Sequence, residues 1–169
     1  MKFLPLFCLV ALTIFNCNHG VTKQYPRYNA FVFSSSAESE NYSIKFAGND
    51  TIFLQERFPK PKQLFYSVIQ KDDRKKLDSL LEKVDFPRYD TVYFQNNLQD
   101  AITYKFYLAR DTTINWVLIY GHKGPKSLYE FAGWLTALKD RQTFHPTNAS
   151  VDFGDLTYIV LPHIPPPTK

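Results

Sequence analysis

Residues 102–120 read ITYKFYLARDTTINWVLIY, and this stretch decides the fold of the chain. Both halves place apolar residues at every second position: Ile102, Tyr104, Phe106 and Leu108, then Ile114, Trp116, Leu118 and Tyr120. A period of two is typical of strands that bury one face, since successive side chains point to opposite sides. The polar residues Arg110-Asp111-Thr112 between the halves suit a turn. The stretch therefore predicts an antiparallel hairpin.

A helix is predicted directly after this hairpin. Gly124 and Pro125 precede it, and proline is tolerated at the first helical position, where its missing N–H costs nothing. Apolar residues then recur at helical spacing: Leu128, Phe131, Ala132, Leu135 and Leu138. Such a stripe indicates a helix that packs one face against the sheet.

The N-terminal half repeats this arrangement. Residues 31–33 indicate a short strand, and alternation over residues 42–46 and 52–54, with turn residues between them, predicts another hairpin. Residues 64–69 are almost continuously apolar and aromatic, which predicts a strand covered on both faces. A helix follows from Asp72, with an apolar stripe at Leu77, Leu80, Leu81 and Val84.

The order β-β-β-α-β-β-α predicts an α+β fold, an antiparallel sheet of about five to six strands with two amphipathic helices on one face. Residues 156–161 have the composition of a strand and allow a further one at the C-terminus. We assign the α+β domain to residues 31–142. Residues 143–169 are assigned to a C-terminal extension with a proline-rich end.

The first seventeen residues have the pattern of an export leader. Lys2 precedes an uncharged, mostly apolar run over residues 3–15, which is too short to span a bilayer as a helix but matches a secretory apolar segment. Cys17 follows this run, and the leader resembles that of bacterial lipoproteins, in which such a cysteine is lipidated and becomes the mature N-terminus. We therefore expect a signal peptide over residues 1–17 and a flexible tether over residues 18–30.

Two other fates of the leader stay open at this point. Phe15 and Asn16 replace the small residues usual before a lipidated cysteine, and cleavage near Gly20 would give a soluble periplasmic or secreted protein. An uncleaved anchor is the third alternative. We expect export to the cell envelope, with attachment to a membrane through a lipid on Cys17.

Cysteine content and charge exclude several kinds of site. The two cysteines, Cys8 and Cys17, precede the predicted domain, so the domain has no disulfide, cysteine metal site or cysteine nucleophile. The formal net charge is +4, but basic residues are dispersed among acids, unlike the clustered basic face of a nucleic-acid-binding protein. We expect no nucleic-acid partner.

Part of the chain resembles a family of uncharacterised domains in exported bacterial lipoproteins, several of them from the Bacteroidota. The similar elements are Val84-Asp85-Phe86 with Tyr89, Asp100 before a hairpin, and Ile119-Tyr120-Gly121 leading through Gly124-Pro125 to Leu128. The resemblance covers residues 42–139. It implies the exported compartment and the fold, and the family has no established activity to transfer.

No catalytic, cofactor or metal-binding motif occurs in the sequence after the leader, and we predict no catalytic residues, no cofactor and no metal. Two binding features are candidates. His122, Lys123 and Lys126 lie beside the start of the second helix, where free N–H groups attract anions. Tyr93 and Tyr107 are expected on an uncovered sheet face, where aromatic side chains stack on sugars or hold partners.

The sequence leaves two functions open. The first is a non-catalytic envelope lipoprotein whose sheet face or helix start binds a protein or a glycan. The alternative is a hydrolase of an envelope or extracellular polymer that uses scattered acids. A pocket in which acids or histidines converge would favour the hydrolase, and a shallow aromatic or polar face would favour binding. The sequence does not fix the oligomeric state.

Overall fold

The computed structural model describes residues 28–98 and 100–159. Within these residues the chain forms one eight-stranded sheet and two α-helices. In chain order the elements are β1 (Ala30–Ser36), β2 (Asn41–Ala47), β3 (Thr51–Phe58), β4 (Gln63–Val68), α1 (Lys71–Lys83), a short 3-10 helix (Phe86–Arg88), β5 (Val92–Phe94), β6 (Thr103–Arg110), β7 (Thr113–Tyr120), α2 (Lys126–Arg141) and β8 (His145–Pro146). Across the sheet the strands lie in the order β5-β7-β6-β1-β2-β3-β4-β8.

The hairpin predicted from residues 102–120 is confirmed as β6 and β7. Arg110 pairs with Thr113, so a two-residue turn joins the strands. Asp111 in this turn has φ 51°, and its amide N–H donates to Asn29 Oδ1 at 2.6 Å. β6 also pairs with β1, which β2 and β3 follow through the second predicted hairpin. The two hairpins therefore meet at β1, in the middle of the sheet.

One face of the sheet and both helices share the apolar core. The predicted stripe of α2 is buried at all of its positions, and α1 buries Leu77 and Leu81. The ring of Phe131 stacks on those of Phe31 and Phe106, with centroids 5.5 and 5.8 Å apart. The mixed α+β architecture predicted from the sequence is confirmed at this level.

The opposite face of the sheet is partly covered by residues 147–159, which we call the C-terminal strap. Strand register places Ser34, Ser43 and Lys105 on this face, and all three are buried although they are polar. The strap contributes two buried apolar side chains, Phe153 and Ile159. Residues 143–159, predicted to be an extension outside the domain, are therefore part of it.

The prediction of about five to six strands, all antiparallel, is wrong in number and in one pairing. β5 and β8 have three and two residues, too few to show a period in the sequence. β5 pairs with β7 in parallel orientation. Four strands precede α1, as the four predicted segments do, although the predicted order counts three.

Two predictions about individual strands are also wrong. Most of residues 64–69 do lie in a strand, β4, but Tyr66 and Val68 are exposed, because only the short β8 lies beyond β4 in the sheet. In the described part of residues 156–161 the chain makes a turn, closed by a 3.0 Å hydrogen bond from Ile159 N–H to Leu156 C=O, and not a strand. Residues 160 and 161 lie outside the described residues.

The domain begins earlier than predicted. Tyr28 is buried in the core, Asn29 N–H donates to Ala109 C=O at 2.9 Å, and Ala30 starts β1. The last three residues of the predicted tether over residues 18–30 therefore belong to the sheet domain. The rest of that tether, the predicted signal peptide over residues 1–17 with Cys17, and the proline-rich end lie outside the described residues.

Candidate functional site

An open groove lies between β4 and the C-terminal strap, and we call it the β4 groove. Its volume is about 630 Å³. The residues that line it are Gln55, Lys62, Gln63, Leu64, Phe65, Pro146, Thr147, Asn148, Ala149, Ser150 and Val151. Amide, hydroxyl and apolar groups predominate in this set, and Lys62 is its one charged member.

Backbone hydrogen bonds fix the two walls of the β4 groove. Phe65 of β4 pairs with Pro146 of β8, and Thr147 N–H donates to Leu64 C=O at 2.9 Å. Proline has no N–H, and the last hydrogen bond of this pairing comes from Thr147, the residue after Pro146. Thr147 Oγ1 accepts the Ala149 N–H at 3.2 Å, which shapes the first turn of the strap.

Gln55 of β3 forms the floor of the groove and is only 6% exposed. Its Oε1 accepts a hydrogen bond from Arg57 Nη1 at 2.9 Å. Its Nε2 has no partner among the described residues, and no buried side-chain nitrogen or oxygen in that part of the chain lacks one. Nε2 is therefore not fully buried, and its N–H donors are not used by the described residues.

Neutral groups hold the Arg57 guanidinium in place. Nε donates to Asn41 Oδ1 at 2.7 Å, and Nη2 donates to Ser43 Oγ at 2.9 Å. Within residues 28–98 and 100–159 no carboxylate lies within 4.0 Å of this guanidinium. Burial lowers the pKa of Arg57 to about 10, so it stays protonated at neutral pH. The network behind Gln55 thus carries a positive charge with no acidic partner in the described structure.

Two lysines of the sheet hold the strap over the second face. Lys105 Nζ donates to Asp155 Oδ2 at 2.8 Å and to Thr157 C=O at 3.1 Å, and it lies 5.1 Å from the centroid of the Trp116 ring. Lys45 Nζ donates to Asp152 C=O at 2.6 Å. The Lys105 side chain is 2% exposed and that of Asp155 is 48% exposed, so the ion pair is buried on one side only.

We predict that the attachment of the strap weakens in acid. Hydrogen bonds from Lys105 and then from Thr157 lower the pKa of Asp155 to about 2, below its usual value of about 4. A depressed folded-state pKa contributes stability that is present above the unfolded-state pKa and lost as pH falls from about 4 to about 2. The check is an NMR titration of the Asp155 carboxyl carbon. We expect a midpoint near 2 in the wild type and a higher midpoint in Lys105→Met, which stays below about 4 where the Thr157 hydrogen bond remains. A wild-type midpoint near 4 would contradict the ion pair.

A second depression lies on the helix side of the same sheet edge. Its volume is about 430 Å³, and it lies between β4 and the end of α2, beside Tyr66, Gln70, Arg141 and His145. Arg141 already pairs with Asp73 of α1 at 2.6 Å. The charge of this arginine is therefore compensated, unlike that of Arg57.

The residues of the predicted anion site at the start of α2 lie on the open surface. His122, Lys123 and Lys126 are all exposed. The His122 N–H donates to Gln95 Oε1 at 3.1 Å, and Lys126 pairs with Glu130 across 3.3 Å. The Gly124 N–H donates to the Tyr129 hydroxyl at 3.0 Å. The N–H groups of His122 and Gly124, in the loop before α2, are thus bound within the chain, and anion binding at the helix start stays a prediction.

The predicted aromatic face at Tyr93 and Tyr107 is wrong, because the sheet separates the two side chains. Tyr93 pairs with Ile119 and packs against the core on the helix side. Tyr107 lies on the other face, next to Gly154 of the strap, where an added Cβ would come within 2.8 Å of its ring. The sequence did not show that β5 runs parallel to β7, and this pairing decides which way Tyr93 points.

A different aromatic surface, which we call the β5 edge, was missed from the sequence. It consists of Val92 and Phe94 with Tyr120, on the face opposite the helices. Phe94 is 56% exposed, and its ring stacks on that of Tyr120 with centroids 4.7 Å apart. The three-residue strand was too short for its alternation to be recognised, although its exposed residues do alternate.

In the described part of the chain no group of three or more histidine, cysteine, aspartate and glutamate side chains is placed to hold a metal ion. No helix there is long and apolar enough to span a membrane. The β4 groove offers hydrogen-bond donors, acceptors and apolar contacts, and its lining contains no acid or imidazole for proton transfer.

Comparison with known proteins found no match: no protein-family model, curated protein or solved structure is significantly similar to this chain.

Proposed function

We propose that this protein is an exported, lipid-anchored and non-catalytic binding module, and that the β4 groove is its ligand surface. The groove carries the proposal. Its lining combines three side-chain amides, two hydroxyls and several apolar contacts within about 630 Å³, which suits a polar ligand of extended shape. General acid–base catalysis needs a titratable side chain within hydrogen-bond reach of the substrate, and the lining offers none apart from Lys62.

Export and anchoring rest on the leader. The apolar run over residues 3–15 ends just before Cys17, which supports lipid attachment at that residue. The β4 groove is lined by Gln55, residues 62–65 and residues 146–151, none of which is close in sequence to the predicted tether. The proposal therefore places the ligand outside the cytoplasm.

A polymer array with matched variants tests the groove. The full chain is applied to an array of soluble polysaccharides and envelope polymers, beside Ser150→Trp, which fills the groove. Thr112→Trp, in the exposed β6–β7 turn, is the control. We expect wild type and Thr112→Trp to bind the same polymer and Ser150→Trp to lose it. Equal binding by Ser150→Trp would exclude the groove, and release of new reducing ends from the bound polymer would favour the hydrolase instead.

The anchor is tested separately by Cys17→Ser. We expect this variant to lose both radiolabelled palmitate and its place in the membrane fraction, because a serine cannot form the thioether that carries the lipid. Cys8→Ser, inside the apolar run, is the control and should keep both. Unchanged labelling of Cys17→Ser would reject the lipoprotein assignment without affecting the groove.

A further inference from the structure

We infer that the ligand of the β4 groove is a carboxylate-bearing glycan, a chain of sugars that includes uronic acids. This inference rests on the proposed function and adds the chemical class of the ligand. It follows from three properties of the described residues: the charge around the groove, the pairing of its strand edge and the chemistry of its lining.

The charge around the β4 groove is positive. Lys62 lines it, Lys60 lies two residues earlier in the same exposed loop, and Arg57 stands behind Gln55 without an acidic partner in the described structure. No acid belongs to the lining. A ligand with negative charge would compensate the charge of these side chains, whereas an uncharged ligand would leave that charge uncompensated.

The strand edge beside the groove is closed to a peptide. Extended peptides commonly bind by adding a strand to a free sheet edge, where they gain main-chain hydrogen bonds. At this edge Phe65 and Tyr66 are already paired with Pro146 and His145, and Leu64 C=O accepts the Thr147 N–H. The ligand must therefore be held by side chains, which favours a sugar polymer over an acidic peptide.

The lining chemistry fits sugar hydroxyls and a carboxylate. Gln63 and Asn148 each offer both donors and acceptors, as hydroxyl groups require, and Gln55 offers N–H donors. Lys62 supplies an ammonium for a carboxylate. Arg57 is a positioning residue, because its bond to Gln55 Oε1 fixes the amide and leaves Nε2 facing the ligand. We expect the carboxylate between Lys62 Nζ and Gln55 Nε2.

Calorimetry with chemically matched probes tests this inference. The full chain is titrated with a hexamer of galacturonic acid, with the same hexamer fully methyl-esterified, and with hexaglutamate. We expect the free acid to bind at least about tenfold more tightly than the ester, which corresponds to about 1.4 kcal/mol. This preference should shrink with added salt, since exposed charges are screened. Hexaglutamate should bind more weakly than the acidic sugar.

Variants locate the carboxylate. Gln55→Glu keeps an acceptor for Arg57 but replaces the N–H donors with an anionic oxygen, and it should abolish the preference for the acid over the ester. Lys62→Gln should weaken binding of the acid about five- to tenfold and leave the ester unchanged. Lys76→Gln, on an exposed position of α1, is the matched control and should behave as wild type. Circular dichroism confirms that each variant is folded.

The outcomes separate this inference from the proposed function. Equal affinity for acid and ester, or tighter binding of hexaglutamate, would overturn the carboxylated-glycan inference and leave a groove-dependent array result standing. If no polymer on the array bound the protein, the proposed function itself would be overturned. A preference for the acid that survives both Gln55→Glu and Lys62→Gln would also overturn the inference, since the carboxylate would then bind to other residues.

Discussion

Phe131→Ala is expected to lower the free energy of unfolding by about 3–5 kcal/mol, the range for truncating a buried phenylalanine. Phe131 is buried at the centre of the core, and its ring stacks on those of Phe31, Phe106 and Trp134. Its removal leaves a cavity between α2 and the two central strands, which a close-packed interior fills only in part. Urea denaturation followed by circular dichroism measures the change.

The control for this prediction is the same substitution at the β5 edge. Phe94 is largely exposed and stacks on Tyr120 alone among aromatic rings in the described residues. Phe94→Ala should therefore cost less than about 1 kcal/mol. If the two variants lost similar stability, or if Phe131→Ala cost less than about 1.5 kcal/mol, the core would not be centred on α2 as described.

Asp155→Asn is expected to release the C-terminal strap and to lower the free energy of unfolding by about 1–3 kcal/mol, less than for a fully buried pair because Asp155 is half exposed. The carboxylate accepts from Lys105 Nζ with one oxygen and from Thr157 N–H with the other. An amide has a single acceptor oxygen, so one of these hydrogen bonds must be lost. Urea denaturation measures the stability, and hydrogen exchange should increase over residues 152–159 but not in β1.

The double variant Lys105→Met with Asp155→Asn supplies the control. It removes the buried ammonium together with its partner, and a well-packed apolar replacement of a buried pair is often close to neutral. We expect the double variant to be more stable than Asp155→Asn alone. A double variant that is no more stable would show that the loss does not come from an unpaired Lys105.

The parts of the fold that were predictable from sequence are those in which burial repeats along one element. The stripe of α2 is buried at every position, and in β6 the predicted positions Phe106 and Leu108 face the core, so both periods appear directly in the sequence. In β7 the core face was predicted wrongly. Val117 and Ile119 pair with Phe106 and Tyr104 and face the core, and the predicted positions lie on the opposite face, because both faces of β7 carry apolar residues. β5 and β8 were not predicted, because a segment of two or three residues is too short to show a period. The burial of β4 was predicted wrongly, because its apolar run includes Tyr66 and Val68, which are exposed near the sheet edge.

The face of the sheet opposite the helices shows a second limit of prediction from sequence. Ser34, Ser43 and Lys105 occupy the polar positions of their strands, which in sequence look like positions facing water. They are buried instead, because the strap crosses over them. Alternation distinguishes polar from apolar positions, but it does not show whether a polar side chain meets solvent or a covering segment.

The candidate site was missed for the same reason. Gln55 and Arg57 lie two residues apart on β3, and nothing in their spacing indicates a groove. Their role depends on the strap, which comes about ninety residues later and is held by side-chain hydrogen bonds from Asn41, Lys45 and Lys105. Polar contacts between residues so far apart in sequence leave no periodic pattern in it. The one signal available from sequence was that Arg57, Lys60 and Lys62 cluster around two prolines.

Hydrogen exchange with and without the polymer that binds best on the array tests the central claim, that the β4 groove is the ligand surface. We predict slower exchange over residues 62–65 and 147–151, the two walls of the groove, with no change over residues 92–94 and 116–120. Slower exchange confined to residues 92–94 and 116–120 would place the ligand on the β5 edge instead of in the β4 groove.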